Sequence, residues 1–275
     1  MKNILPESSA KQNQSSSKKD SKILISVTDL NKQFSLKSGQ VEVLHDINFN
    51  IPEESFTIIF GPSGSGKSTI LNVLSGLEQP TQGHVVIAGQ DLYTLDADQR
   101  AYFRAQTIGI VHQDNYWMNS LNVLENVAMP LYLTGSPKEA ALVVALDSLR
   151  RVGMDTYKNY LPTVLSGGQQ QRVSMARALV ATPKLILADE PTGDLDSKNG
   201  QMIMDLLLYF QRELKRTIVL VTHNLEYLPL SDNQLYILDG KITVAQRNQK
   251  QLTTMANSLS SKIAELSKME DEAQK

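Results

Sequence analysis

The run Gly61-Pro-Ser-Gly-Ser-Gly-Lys67-Ser68 constrains this chain more than any other stretch. It fits the pattern G-x-x-x-x-G-K-[ST] at every fixed position, and its flanks fit too. Phe56-Thr-Ile-Ile-Phe60 before it is short, apolar and β-rich; Thr69-Ile-Leu-Asn-Val-Leu-Ser75 after it has helical texture. Glycines in such a loop let successive backbone N–H groups turn inward as an anion-binding nest, and the following helix aims its positive end at the same point. Lys67 adds a mobile cation for the outer phosphates, and the Ser68 hydroxyl is a ligand for Mg²⁺. A merely flexible Gly/Ser loop rarely ends in Gly-Lys-Ser at a strand-to-helix junction. The expectation is a nucleoside triphosphate whose phosphates meet Gly61, Pro62, Ser63, Gly64, Ser65, Gly66, Lys67, Ser68 and Thr69.

Composition narrows the setting. A chain of 275 residues can form one large α/β domain or a domain with an inserted lobe. A net charge of −2 gives no support for a surface that wraps nucleic acid. Cysteine is absent, which excludes disulfides and thiolate metal sites. No apolar run reaches the ~18 residues of a membrane span, and the N-terminus lacks the apolar core of a secretory signal.

Residues 1–22 are rich in Ser, Gln, Asn and Lys and read as a disordered tail. Their five lysines, against Glu7 and Asp20, leave a weak attraction to anionic membranes open beside a plain solvated role. Order is expected from 23 to 245. Ile23-Leu-Ile-Ser-Val27 and the alternating Leu44 to Ile51 predict antiparallel strands with one wet face. Between them Phe34, 27 residues before Gly61, either stacks on a purine or joins the core. Gly83 to Gly89 reads as a short strand. Thr94 to Gln106 reads as a polar helix capped by Thr94 or Asp96, and Ile108 to Gln113 as a buried strand.

From about 114 to 165 the texture turns helical. One helix carries Val123, Val127 and Pro130-Leu131 and stops at Thr134-Gly-Ser-Pro137; another runs from Ala140 to Val152 with Leu142, Leu146 and Leu149 on one face. This block reads as an inserted lobe. Tyr116, Trp117 and Met118 at its entrance form either a partner-docking edge or the lobe's core. Leu165 to Arg172 leads into an Ala-rich helix, Val173 to Val180. Lys184 to Glu190 is a strand ending in two carboxylates. Ser197 to Lys215 is a helix with Met202/Ile203, Leu206/Leu207 and Phe210 inward. Thr217 to Thr222 is a buried strand followed by His223, and a closing hairpin turns at Asp239-Gly240. The last segment, 246–275, is polar, yet Leu252, Ala256, Leu259, Ile263 and Leu266 recur at helical spacing. The fold class expected is α/β: a mostly parallel sheet with helices on both faces, an N-terminal antiparallel β subdomain and the helical lobe.

In open α/β sheets ligands sit at the carboxyl ends of strands, where Gln113, Asp189-Glu190 and His223 join the phosphate loop. Asp189 is expected to hold Mg²⁺ with Ser68. Glu190, on the other side of the pleat, would activate a water for attack on the γ-phosphate. Gln113 can reach the metal or that water; His223 can hold the γ-phosphate or position Glu190. Ser166-Gly-Gly is a second anion-binding helix start, and with one triphosphate already cradled it would act on a partner's nucleotide.

At Leu165-Ser-Gly-Gly-Gln169, continued by Gln170-Gln-Arg172, residues 23 to 245 resemble the ATP-binding subunits of ABC transporters. The same order of motifs carries the resemblance: Walker A (61–68), the Q-loop Gln113, the signature, Walker B (185–189, then Glu190), the D-loop Asp194-Leu-Asp196 and the switch His223. It implies an ABC ATPase fold using ATP and Mg²⁺, and a head-to-tail homodimer sharing two ATP sites. Each ATP would lie between Walker A of one copy and Ser166, Gly167, Gly168 and Gln169 of the other, with Phe34 on adenine. It further implies a membrane permease subunit as partner and a cytoplasmic place on the inner face of the cell membrane. Leu95 to Arg104, Leu121 to Leu131 and Ala188 to Asp196 are similar to the macrolide-export and lipoprotein-release branch (MacB/LolD-like), which exports or extracts a substrate. The alternative is an FtsE-like ATPase that signals through a membrane partner without transport. Departures from the family pattern are Pro52-Glu-Glu-Ser55 without its usual glycine, His112 in place of an aromatic and Trp117 in place of an aliphatic residue. The last two fall near the permease-docking surface.

Overall fold

The computed structural model describes residues 22–37 and 39–244. The expected tails, and with them the helical pattern over 252–266, lie outside the described residues. In chain order the elements are β1 (Ile23–Leu36), β2 (Gly39–Pro52), β3 (Phe56–Phe60), α1 (Lys67–Leu74), β4 (Gln82–Ile87), β5 (Gln90–Asp91), α2 (Ala97–Thr107) and β6 (Ile108–Val111). There follow α3 (Val123–Leu133), α4 (Lys138–Arg151), α5 (Gly167–Leu179), β7 (Leu185–Asp189), α6 (Ser197–Arg212), β8 (Thr217–Thr222), β9 (Asn233–Leu238) and β10 (Lys241–Val244).

The alternating and the continuous apolar segments sort into two sheets. The alternating ones make an antiparallel sheet in the order β2-β1-β4-β5. The continuous ones make a six-stranded sheet, β10-β9-β3-β8-β7-β6, parallel except for β10. Strands buried on both faces need no polar alternation, and every residue of β3 and β8 is buried. Successive side chains then serve different cores. Ile58, Phe60, Ile186, Ala188, Ile218 and Leu220 face the helices α3 to α6, whereas Ile59, Leu185, Leu187, Val219 and Val221 face α1 and the antiparallel sheet. The parallel sheet is thus a septum between two cores.

Local chemistry fixes most boundaries. Asp96 with Gln99, and Asn122 with Glu125, form reciprocal capping boxes that start α2 and α3. Asp239 and Gly240, at φ of 46° and 70°, make the two-residue turn that pairs Leu238 with Lys241. Four expectations need correction. The first concerns α4, which buries Ala141, Ala145, Ser148 and Leu149 and leaves Leu142 and Leu146 half-buried at the margin. Its small residues allow close approach to its neighbours, so the leucine row is not its inner face. In α6 the buried stripe is Gly200, Ile203, Met204, Leu207 and Phe210; Met202 points away from it and is exposed. Helix α5 begins at Gly167, well before Val173, because Ser166 caps it with Gln169 in a third capping box. Finally β1 continues through Phe34, which sits on a strand rather than in a connection. No described helix is long and apolar enough to cross a membrane.

Strand β6 and helix α5 meet at Gly109, where a Cβ would lie 2.1 Å from the Ala178 carbonyl oxygen. Backbone cannot yield as a side chain can. Gly109→Ala is therefore expected to lower stability by about 1–3 kcal/mol, the usual cost of overpacking. Urea denaturation measures it, and an unchanged midpoint would contradict this contact.

Candidate nucleotide-binding site

The phosphate loop hangs between β3 and α1, both anchored in the core. Gly64 and Gly66 adopt φ of 76° and 104°, the left-handed turns that aim successive amides inward. Gly66 is the N-cap of α1 and offers no side-chain cap, so the first amides of this helix stay available to an anion. Lys67 Nζ folds back and donates to the carbonyls of Gly61 and Pro62 at 2.9 and 2.8 Å. Burial pulls its pKa below the usual lysine value, against the opposing pull of Glu190 and Asp189. The Ser65 hydroxyl is buried with no hydrogen-bond partner.

At the neighbouring strand ends, Ser68 lies beside the Asp189 carboxylate and favours its charged form. Burial, then the adjacent Glu190, push the Asp189 pKa up; Lys67 and Ser68 oppose them. Asp189 Oδ1 is buried and unpartnered. Strand alternation would set Glu190 on the opposite side of the pleat from Asp189. Instead it lies beyond β7 in a left-handed conformation, φ 43°, which turns its carboxylate across the end of β8. There Oε2 accepts from the Thr222 hydroxyl at 3.1 Å, and Oε1 lies 2.9 Å from His223 Nδ1. Gln113, two residues past β6, donates through Nε2 to Asp194 Oδ2 at 3.2 Å.

These groups converge on a cleft of about 420 Å³ lined by Ser63, Gly64, Gly66, Lys67, Ser68 and Thr69 together with Gln113, Glu190 and His223. Phe34 and most of the signature residues lie elsewhere. Phe34 is half-buried, outside both cores and outside the cleft lining, with Lys32 Nζ 4.6 Å from its ring centre. Val43, which sequence alone did not single out, does line the cleft. Ser166 and Gly167 are exposed at the start of α5. Gly168 is buried against the Asn199 carboxamide, itself bonded to Asp196. Of the Ser166–Gln169 set only Gly167 approaches the first cleft, lining a crevice of about 150 Å³ with Gln113, Gln171 and Glu190. Thr222, the second holder of Glu190, was also missed; a strand-end threonine has no pattern that marks it.

A second cleft, about 610 Å³, opens between α2, β6 and the lobe, with Tyr102, His112, Tyr116, Leu133 and Arg177 in its wall. The aromatic cluster at the lobe's entrance divides: Tyr116 and Met118 are exposed, whereas Trp117 packs against the helical core. Burial, then Arg177, lower the His112 pKa, opposed by Asp114. Burial brings the Arg177 guanidinium down to about 10.

Two adjacent carboxylates, one with a buried unpartnered oxygen, burden the nucleotide-free fold. Asp189→Asn keeps an acceptor for Ser68 and removes one of the two charges, so it is expected to raise the Tm of the nucleotide-free protein at neutral pH. Calorimetry checks this, and a lower Tm would refute it.

The profile of the ABC transporter family matches residues 44–193. The lipoprotein-releasing system ATP-binding protein LolD of Pseudoalteromonas translucida (strain TAC 125) is 39% identical over 224 residues, 82% of this chain and 97% of that protein. A dimeric ATP-binding cassette solved in a post-hydrolysis state with ADP and Pi superimposes with a TM-score of 0.76 at 37% identity, over 81% of this chain and 98% of that one. A cassette from Clostridium perfringens, part of the cbiONQ ABC transporter complex, does so with a TM-score of 0.74 at 28% identity, over 90% and 97%. With a family profile over more than half of its length and a relative at 39% identity over four fifths of it, this chain belongs to the ABC transporter family, as an ATP-binding and ATP-hydrolysing cassette.

Proposed function

We propose that two copies of this chain close head-to-tail on two ATP molecules, and that closure and release drive a separate membrane permease in export or extraction of a substrate. One observation carries the shared-site reading. The cleft that gathers Lys67, Gln113, Glu190 and His223 is open on one side, while the uncovered helix start at Ser166 lies outside it. A second copy supplying Ser166, Gly167, Gly168 and Gln169 would close it over the γ-phosphate. The solved cassettes described as dimeric support this arrangement. The LolD similarity supports a place in the lipoprotein-release branch. The broad second cleft, walled by Tyr102, Tyr116 and Leu133, is where the permease would dock, holding the cassette at the inner face of the membrane.

The residues present fit Mg²⁺. Asp189 keeps an unpartnered carboxylate oxygen beside the Ser68 hydroxyl, and Gln113 lines the same cleft. Among the described residues no three His, Asp or Glu side chains are placed to hold a metal ion by themselves, so these donors leave positions to phosphate oxygens and water. When bound, Mg²⁺ supplies positive charge against the outer phosphates.

The protein's own groups do the rest. Lys67 leaves the Gly61 and Pro62 carbonyls for the β- and γ-phosphates, trading two neutral acceptors for charged ones. The loop amides and the α1 N-terminus hold the phosphate oxygens where charge builds up. Phe34 would stack on adenine. Glu190, held at both oxygens by Thr222 and His223, is preset to take a proton from the attacking water. As that water's oxygen bonds to the γ-phosphorus, the bond to the β,γ-bridging oxygen breaks and ADP carries the electron pair away.

Glu190→Gln should cut ATP turnover by about 10²–10⁴-fold, the usual worth of a general base, while ATP-dependent dimers accumulate on size exclusion. Undiminished turnover would exclude the role. Lys67→Ala should weaken ATP binding itself, read by equilibrium titration. Ser166→Arg mixed with Lys67→Ala should regain activity that neither has alone, since each mixed dimer keeps one intact site.

A further inference from the structure

We propose that Trp117 is a positioning residue for the signature loop of its own chain, acting through Gln170 on the nucleotide held by the second copy. The inference rests on the reading that Ser166–Gln169 complete the partner's site.

Trp117 is the chain's only tryptophan, in the segment that leads from β6 into the lobe. Its indole Nε1 donates to Gln170 Oε1 at 2.8 Å, and Gln170 Nε2 donates to the Leu165 carbonyl at 3.0 Å. One carboxamide therefore spans both partners, and they fix its orientation. The reverse flip would set donor against donor and acceptor against acceptor. Leu165 immediately precedes Ser166, the N-cap of α5, and its own side chain is buried. The carbonyl that enters the signature loop is thus held by a side chain whose other end is held by Trp117.

The ring is held in turn. The Arg177 guanidinium lies 4.5 Å from its centre and donates to the carbonyls of Asn115 and Tyr116. Gln171, next on α5, donates to the His112 carbonyl at 3.3 Å. Three side chains of one helix fasten residues 112–117 to the signature. An aliphatic residue at 117 would offer Gln170 no donor.

The test separates action on the chain's own nucleotide from action on the partner's. Trp117→Phe keeps an aromatic ring under Arg177 and deletes the N–H. ATP turnover of the pure variant is expected to fall about three- to tenfold, the worth of one neutral hydrogen bond in a rate. The variant is then mixed with excess Lys67→Ala. In such mixed dimers the live site combines the variant's Lys67 and Gln113 with an unaltered signature loop, so turnover per variant chain should equal that of wild type in the same mixture. Gln170→Leu, which breaks the bridge from the other end, should give the same pattern. A defect that persists in the mixture would place Trp117's effect on its own nucleotide and overturn the proposal, as would undiminished turnover of both pure variants. Mixing Ser166→Arg with Lys67→Ala is the control: no recovery there removes the shared-site reading and the proposal with it. Recovery there beside an impaired Trp117→Phe mixture removes the proposal alone.

Discussion

Parallel pairing without a register shift sets the level of every catalytic candidate. Phe60 pairs with Thr222, Asp189 with Val221 and Val111 with Ala188, so the ends of four strands come to one rim of the sheet. The phosphate loop, Gln113, Glu190 and His223 all leave from that rim. A slip of one residue would exchange the two faces of a strand and send its apolar side chains into the wrong core. The two cores that clamp the sheet therefore also fix the geometry of the cleft. The site is a by-product of packing that could not be changed locally.

The cleft holds its charges under strain. Burial disfavours the charged forms of both Lys67 and Asp189, and the two carboxylates repel while the lysine attracts them. Lys67 meanwhile rests on two backbone carbonyls of its own loop. Buried charges and unpartnered polar atoms usually weaken a fold, and their concentration in one place is what a binding site looks like before its ligand arrives. A polyanion with a cation would satisfy these groups together. Ligand binding and relief of this strain are then the same event.

Much of the fold was legible because its signals are local. Asp96 announces its helix through a side chain that reaches only three residues, and Asp239-Gly240 makes its hairpin by its own dihedral preferences. Reading failed where size mattered more than hydrophobicity. Leu142 and Leu146 of α4 mark a margin, and Ala141 and Ala145 the contact, since small residues allow close approach. Met202 and Met204 are equal in composition, and only the position of the stripe decides which is buried. Alternation does not describe Glu190, because it stops where the strand does and a left-handed residue follows.

By itself the sequence determined the phosphate loop, the signature and the alternation of strand and helix. In these the chemistry resides in residues adjacent along the chain, where backbone geometry leaves few choices. Only the tertiary structure decided that Gln113 meets Asp194 from 81 residues away, that Trp117 meets Gln170 from 53, and that Thr222 and His223 share the carboxylate of Glu190. Such contacts are set by the packing of distant segments. No local pattern encodes them, because each partner would be equally at home beside another residue of the same kind.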